Sequence, residues 1–126
     1  MRILNLVPVL LLLVSTGCTT YHITNLTATS APRNEDGLYP VEMEFTSNQT
    51  SLRHDSIQPH VVIGFDFYPM EQTTLLTNRW ETLIPVPADQ NFVNYKFKID
   101  FDVNEFGGRG QSSISSTEYK LTVTDE

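Results

Sequence analysis

The sequence predicts an all-β fold, a single antiparallel β-sandwich of about seven short strands. Apolar and polar residues alternate with a period of two in several segments, which is the pattern of strands with one buried and one solvated face. Clusters of Pro, Gly, Asn and Asp separate these segments. The chain has 126 residues, which suits one domain and not two.

The clearest strand is predicted from Tyr95 to Val103, where five apolar residues alternate with Lys and Asp. This alternation is typical of a half-buried strand in an antiparallel sheet. The segment from His60 to Tyr68 is more apolar throughout and predicts a central strand. Further strands are predicted at residues 23–28, 38–46, 80–86 and 119–123, with a weak edge strand at Thr73–Thr77.

This number of short strands in residues 22–126 is typical of an immunoglobulin-like sandwich. The chain has one cysteine, so the inter-sheet disulfide of antibody domains cannot form. The domain therefore resembles the cysteine-free sandwiches, such as fibronectin type III. That resemblance is architectural, and it implies a fold without implying a function.

Residues 1–17 have the order of a secretory signal peptide. Arg2 provides a positive start, the apolar run 6–14 is broken only by Pro8, and small residues follow. The run is too short to span a bilayer, which takes about 20 residues. The segment is therefore predicted to be cleaved off and to take no part in the fold.

The residues Ser15-Thr16-Gly17-Cys18 resemble the lipobox of bacterial lipoproteins, in which a cysteine thiol receives a diacylglyceryl group before cleavage. The family usually has Leu where this chain has Ser15. The resemblance implies acylation of Cys18, a short tether at residues 18–21 and a protein held in the cell envelope by the lipid membrane. Thr19 is not the Asp that retains enterobacterial lipoproteins at the inner membrane, so the outer membrane is favoured. The alternative is ordinary signal-peptidase cleavage that leaves a free N-terminal cysteine.

The charge of the chain disfavours nucleic acid as a partner. The formal net charge is -7, and removal of residues 1–17, whose one charged residue is Arg2, makes it -8. Phosphate backbones need Lys and Arg in excess, which this chain lacks. Cys18 is the only cysteine, and an odd cysteine in an exported protein needs an explanation that acylation supplies.

In an immunoglobulin-like sandwich the first strand begins at the pole that carries the second-to-third and sixth-to-seventh loops. These loops are predicted at residues 47–59 and 104–116, and a tether of a few residues would hold them within about 10–15 Å of the lipid. Cationic side chains there would suit an anionic headgroup, and the alternative is solvated loops with no preference. The candidate contacts with a membrane or a partner are Arg53, His54, Asp55 and Arg109.

Exposed aromatic rings on a β-sandwich can stack on sugars, and Tyr68 and Trp80 are the candidate glycan contacts. Trp80 also falls in phase with Thr82 and Ile84, which favours a position in the core. No motif predicts a catalytic residue, a metal site or a cofactor, and the Asp100-x-Asp102 spacing is explained by a charged strand face.

The function predicted from the sequence is a membrane-anchored envelope lipoprotein that acts as a non-enzymatic structural or protein-interaction module. An unidentified envelope protein could pair with an exposed edge strand such as Thr73–Thr77. The alternative is a surface carbohydrate-binding module.

Overall fold

The structure is a computed structural model that describes residues 20–125. These residues form two β-sheets that pack face to face. The predicted signal peptide and Cys18 lie outside the described residues. The strands are β1 Tyr21–Asn25, β2 Ser30–Pro32, β3 Leu38–Ser47, β4 Gln58–Ile63, β5 Asp66–Pro69, β6 Glu71–Gln72, β7 Arg79–Pro85, β8 Phe92–Glu105, β9 Gly108–Ser115 and β10 Tyr119–Thr124, and a 3-10 helix spans His54–Ser56.

The strand order confirms the predicted immunoglobulin-like sandwich. One sheet has the order β1-β3-β7-β6, and the other has the order β2-β10-β8-β4-β5 with β9 also paired to β8. These are the two sheets of that fold, with the first strand divided between them as β1 and β2. The pair β2–β10 is parallel and the other pairs are antiparallel.

The core lies between the two sheets and follows the predicted alternation. Every second residue of β8 from Val93 to Val103 is buried, and the residues between them face solvent or are half-buried. Trp80 is buried in β7 on the same face as Ile84, as the phase of that strand predicts. The buried side chains include Tyr39, Val41, Met43, Phe45, Trp80, Ile84, Tyr95, Phe97, Ile99, Phe101, Val103, Leu121 and Val123.

The predicted central strand from His60 to Tyr68 is instead a hairpin of two strands. β4 ends at Ile63, a turn follows at Gly64 and Phe65, and β5 returns along β4. Gly64 has a φ of 60°, a conformation that L side chains rarely adopt, and this ends the strand. As a consequence Phe65 is fully exposed and does not enter the core.

The predicted edge strand Thr73–Thr77 is a turn between β6 and β7. The hydroxyl of Thr73 donates to the carbonyl of Leu76 at 3.2 Å, and the side-chain amide of Gln72 donates to the carbonyl of Thr77. These local hydrogen bonds compete with strand pairing, as Thr and other short polar side chains often do. Only Glu71 and Gln72 form the edge strand β6.

The predicted loop at residues 104–116 is largely a hairpin. β8 continues to Glu105, and β9 pairs with it from Glu105↔Gly108 to Lys98↔Ser115. Gly107 has a φ of 92° and closes the turn. Most of this predicted loop, including the Ser-rich residues 112–115, therefore belongs to the strand β9.

Candidate functional site

The described chain begins at one end of the sandwich, which we call the N-terminal pole. It consists of Thr20, the loop 48–57, the turn 73–78 and the hairpin tip 105–108. The amide of Thr20 donates to the side-chain oxygen of Asn48 at 2.7 Å, and Tyr21 pairs with Ser47 at the end of β3. These contacts place the loop 48–57 beside the start of the first strand, as expected. In the sequence, Cys18 precedes Thr20 by two residues.

The loop 48–57 is docked along β8. The amide of Asn104 donates to the carbonyl of Ser51 at 2.7 Å, and the amide of Arg53 donates to the carbonyl of Asp102 at 3.0 Å. Leu52, between them, is buried in the core. Main-chain bonds and an apolar anchor thus hold the loop and the 3-10 helix in one place, since buried backbone groups need partners.

Two of the candidate contacts at this pole, Arg53 and Arg109, are cationic, and each lies near a carboxylate. Nε of Arg53 lies 3.7 Å from Oδ1 of Asp55, and Nη1 of Arg109 lies 4.0 Å from Oδ2 of Asp102. Such half-exposed pairs contribute about 0–1 kcal/mol, so their importance is for the surface charge and not for stability. The cations are balanced locally, and they do not give the pole the positive surface that the sequence suggested.

His54 does not join this group. It lies on the other side of the 3-10 helix, at an open pocket of about 490 Å³ between the two sheets. Apolar side chains of Phe45, Leu52, Ile57 and Trp80 form much of the wall. Of the four predicted pole residues, Arg53, Asp55 and Arg109 thus lie around Asp102, while His54 lines this pocket, which Asp55 also borders.

A shallow polar groove of about 700 Å³ crosses the outer face of β8 between the 3-10 helix and β9. Asp55, Asp100, Asp102 and Arg109 are among its lining residues. Burial acts to raise the pKa of Asp100, but hydrogen bonds from Ser113 and Lys98 outweigh this and hold the pKa below its ordinary value. The ionised carboxylate of Asp100 can therefore accept hydrogen bonds from a polar group.

No His or Cys is among the lining residues of this groove, and the hydroxyl of Ser113 donates to the carboxylate of Asp100. Within residues 20–125, no group of three or more His, Cys, Asp and Glu side chains could hold a metal ion.

The candidate glycan contacts do not form a stacking platform. Trp80 is 9% exposed and packs in the core, with an indole N–H that has no hydrogen-bond partner among the described residues. Tyr68 is half-buried against the same core. Sugar stacking needs an open ring face, and the buried Trp80 has almost no exposed surface to provide one.

The most exposed aromatic rings are those of Phe65 and Phe106, and neither residue was predicted as a site residue from the sequence. Each lies in a hairpin turn beside a glycine of positive φ, Gly64 or Gly107. In the sequence, each of these residues is a Phe directly beside a Gly between two apolar segments, and this pattern could have predicted an exposed ring in a turn.

Comparison with solved structures finds chains of similar fold. No family model and no curated protein matches the chain. The fold is similar to part of a DUF4785 family protein from Legionella pneumophila, with a TM-score of 0.49 and 10% identity over 85% of this chain and 29% of that chain. This chain thus spans less than a third of that structure, and the similarity assigns no function.

Among the described residues, 20–125, no helix is long and apolar enough to cross a membrane.

Proposed function

We propose that this chain is the precursor of a membrane-anchored envelope lipoprotein, and that its sandwich is a non-enzymatic structural or protein-interaction module. The signal-peptide pattern of residues 1–17 and the lipobox ending at Cys18 support the anchor. The observation that carries the proposal is the position of Thr20, which is bonded to the loop 48–57 only two residues after Cys18. Lipid on Cys18 would therefore hold one defined end of the domain at the bilayer.

Acylation would give a stable attachment. Each buried methylene contributes about 0.8 kcal/mol, and anchors with more than one acyl chain bind stably where a single chain does not. Since Tyr21 already belongs to β1, little free chain remains between lipid and domain. Anchor and sandwich would act as one oriented unit.

The free edge of β9 supports an interaction role. β9 has eight residues, and β8 is the only strand it pairs with in the described chain. The edges at β6 and β5 are poorer sites for strand addition, because β6 has two residues and β5 ends in Pro69, which lacks an amide hydrogen. A partner could add a strand to β9 through main-chain hydrogen bonds. This edge replaces Thr73–Thr77 as the proposed docking edge.

Replacement of Cys18 by Ser tests the anchor. We expect Cys18→Ser to abolish incorporation of labelled fatty acid and to move the protein from the membrane fraction to the soluble fraction, because the hydroxyl cannot form the thioether. Thr19→Ser is the matched control and should keep both the label and the membrane fraction. Continued labelling of Cys18→Ser would overturn the proposal.

A further inference from the structure

Two loop tips of the N-terminal pole expose large apolar side chains. Phe106 at the tip of the β8–β9 hairpin is fully exposed, and Leu75 in the turn 73–78 is 92% exposed. Both belong to turns and not to the sandwich faces, so neither packs on the core.

The two tips lie at the same end of the sandwich as the start of β1. The amide of Phe45 donates to the carbonyl of Asn78 at 2.9 Å, which sets the turn 73–78 beside the end of β3, next to Tyr21. The ring centroids of Tyr21 and Phe101 are 5.4 Å apart, so these residues lie at one level. Phe106 follows Phe101 by five residues, which at about 3.3 Å per residue extends the hairpin roughly 16 Å beyond that level.

The reach of the proposed anchor is shorter than this projection. Cys18 precedes Tyr21 by three residues, a span of at most about 10 Å. A lipid on Cys18 would thus lie within about 10 Å of the level of Tyr21, so the hairpin tip, roughly 16 Å beyond that level, would reach past the attachment point into the bilayer surface. Meanwhile the nearby Arg53 and Arg109 stand beside carboxylates, so charge attraction to headgroups is weak there.

We infer that Phe106 and Leu75 enter the interfacial layer of the bilayer and form a second, apolar contact that orients the anchored domain. The inference rests on the proposed lipoprotein function. An apolar side chain alone binds a membrane weakly, but the anchor confines the tips to the surface and makes this contact intramolecular. We expect each tip to favour the docked orientation by roughly tenfold, or about 1.4 kcal/mol.

The test uses the chain from Cys18 onward, which retains every described residue. Its only thiol is coupled to a maleimide-headgroup lipid in phosphatidylcholine vesicles with brominated acyl chains, which quench indole fluorescence on contact. Phe106→Trp is the probe, and Phe65→Trp is the matched control. Phe65 is equally exposed in a hairpin turn, but it lies at the opposite pole because β4 runs antiparallel to β8. The native Trp80 is buried and serves as the internal reference.

We expect strong quenching of Phe106→Trp, unchanged by salt, and no added quenching of Phe65→Trp. An unquenched Phe106→Trp, equal quenching of the two variants, or quenching that salt abolishes would overturn the inference. Chemical coupling replaces biological acylation in this assay. Its failure is therefore distinct from a failure of Cys18 to be labelled in cells.

Discussion

Phe97 shows how a single residue supports this fold. It is fully buried at the centre of β8, with ring centroids 5.7 Å from Tyr95 and 5.8 Å from Tyr119. The alternation of the sequence predicted this position, because a charged residue on each side leaves one face for the core. The ring thus joins β8 to β10 within the sheet and fills the space between the sheets.

Truncation of this ring tests the packing. Phe97→Ala should lower the free energy of unfolding by about 3–5 kcal/mol, through lost burial and the cavity left behind. Urea denaturation measures the change. Phe65→Ala removes the same atoms from an exposed turn and should stay within about 0.5 kcal/mol of the original protein. Equal effects of the two substitutions would contradict the assigned burial.

Exposed and paired residues were harder to predict than buried ones. The sequence placed Arg53 and Arg109 at one pole, but it could not show that Asp55 and Asp102 stand beside them. Arg53 and Asp55 meet inside the loop 48–57, and Arg109 meets Asp102 because β9 pairs with β8, although the sequence predicted a loop there and not a strand. Local patterns carry no such information.

At the scale of elements, the strands with strong alternation were predicted well and the hairpins were not. β8, β3, β7 and β10 carry their own apolar face, so the pattern identifies them. β9 is rich in Ser and Gly and is a strand because β8 provides its ladder. The run from His60 to Tyr68 is apolar on both sides of a turn, so its pattern resembles one long strand. The positive φ of Gly64 divides it into the two strands of a hairpin.

The free edge of β9 gives a prediction at this scale. The amide of Ser116 donates to the carbonyl of Phe97, and strict alternation then points the amide of Gln111 away from β8. Gln111→Pro should leave the β8–β9 ladder intact but block an added strand. We expect it to lower crosslinking to a strand-adding envelope partner roughly tenfold, since a lost hydrogen bond and a steric clash cost about 1–2 kcal/mol.

Gln111→Ala is the control, because it removes the same side chain and keeps the amide. It should retain the crosslinked partner, as measured by mass identification from intact envelopes, and both variants should melt near the original protein. Equal capture by the two variants would show that β9 is not the docking edge.

For the whole molecule, the two-sheet architecture and the loops that share a pole with the first strand followed from the sequence, while the docking of the loop 48–57 and the exposed tips needed the structure. The start of β1, the docked loop 48–57 and the projecting tip at Phe106 all lie at one end. This common end gives the proposed lipid a structural role beyond attachment, because a short tether there fixes which face meets the bilayer.

The central claim is that the chain is cleaved before Cys18 and acylated on that residue. The most direct measurement is the intact mass of the protein extracted from its native membrane. We predict a polypeptide that begins at Cys18 and carries the added mass of a diacylglyceryl group. A chain that begins at Met1, or one that begins at Cys18 with an unmodified thiol, would contradict the account.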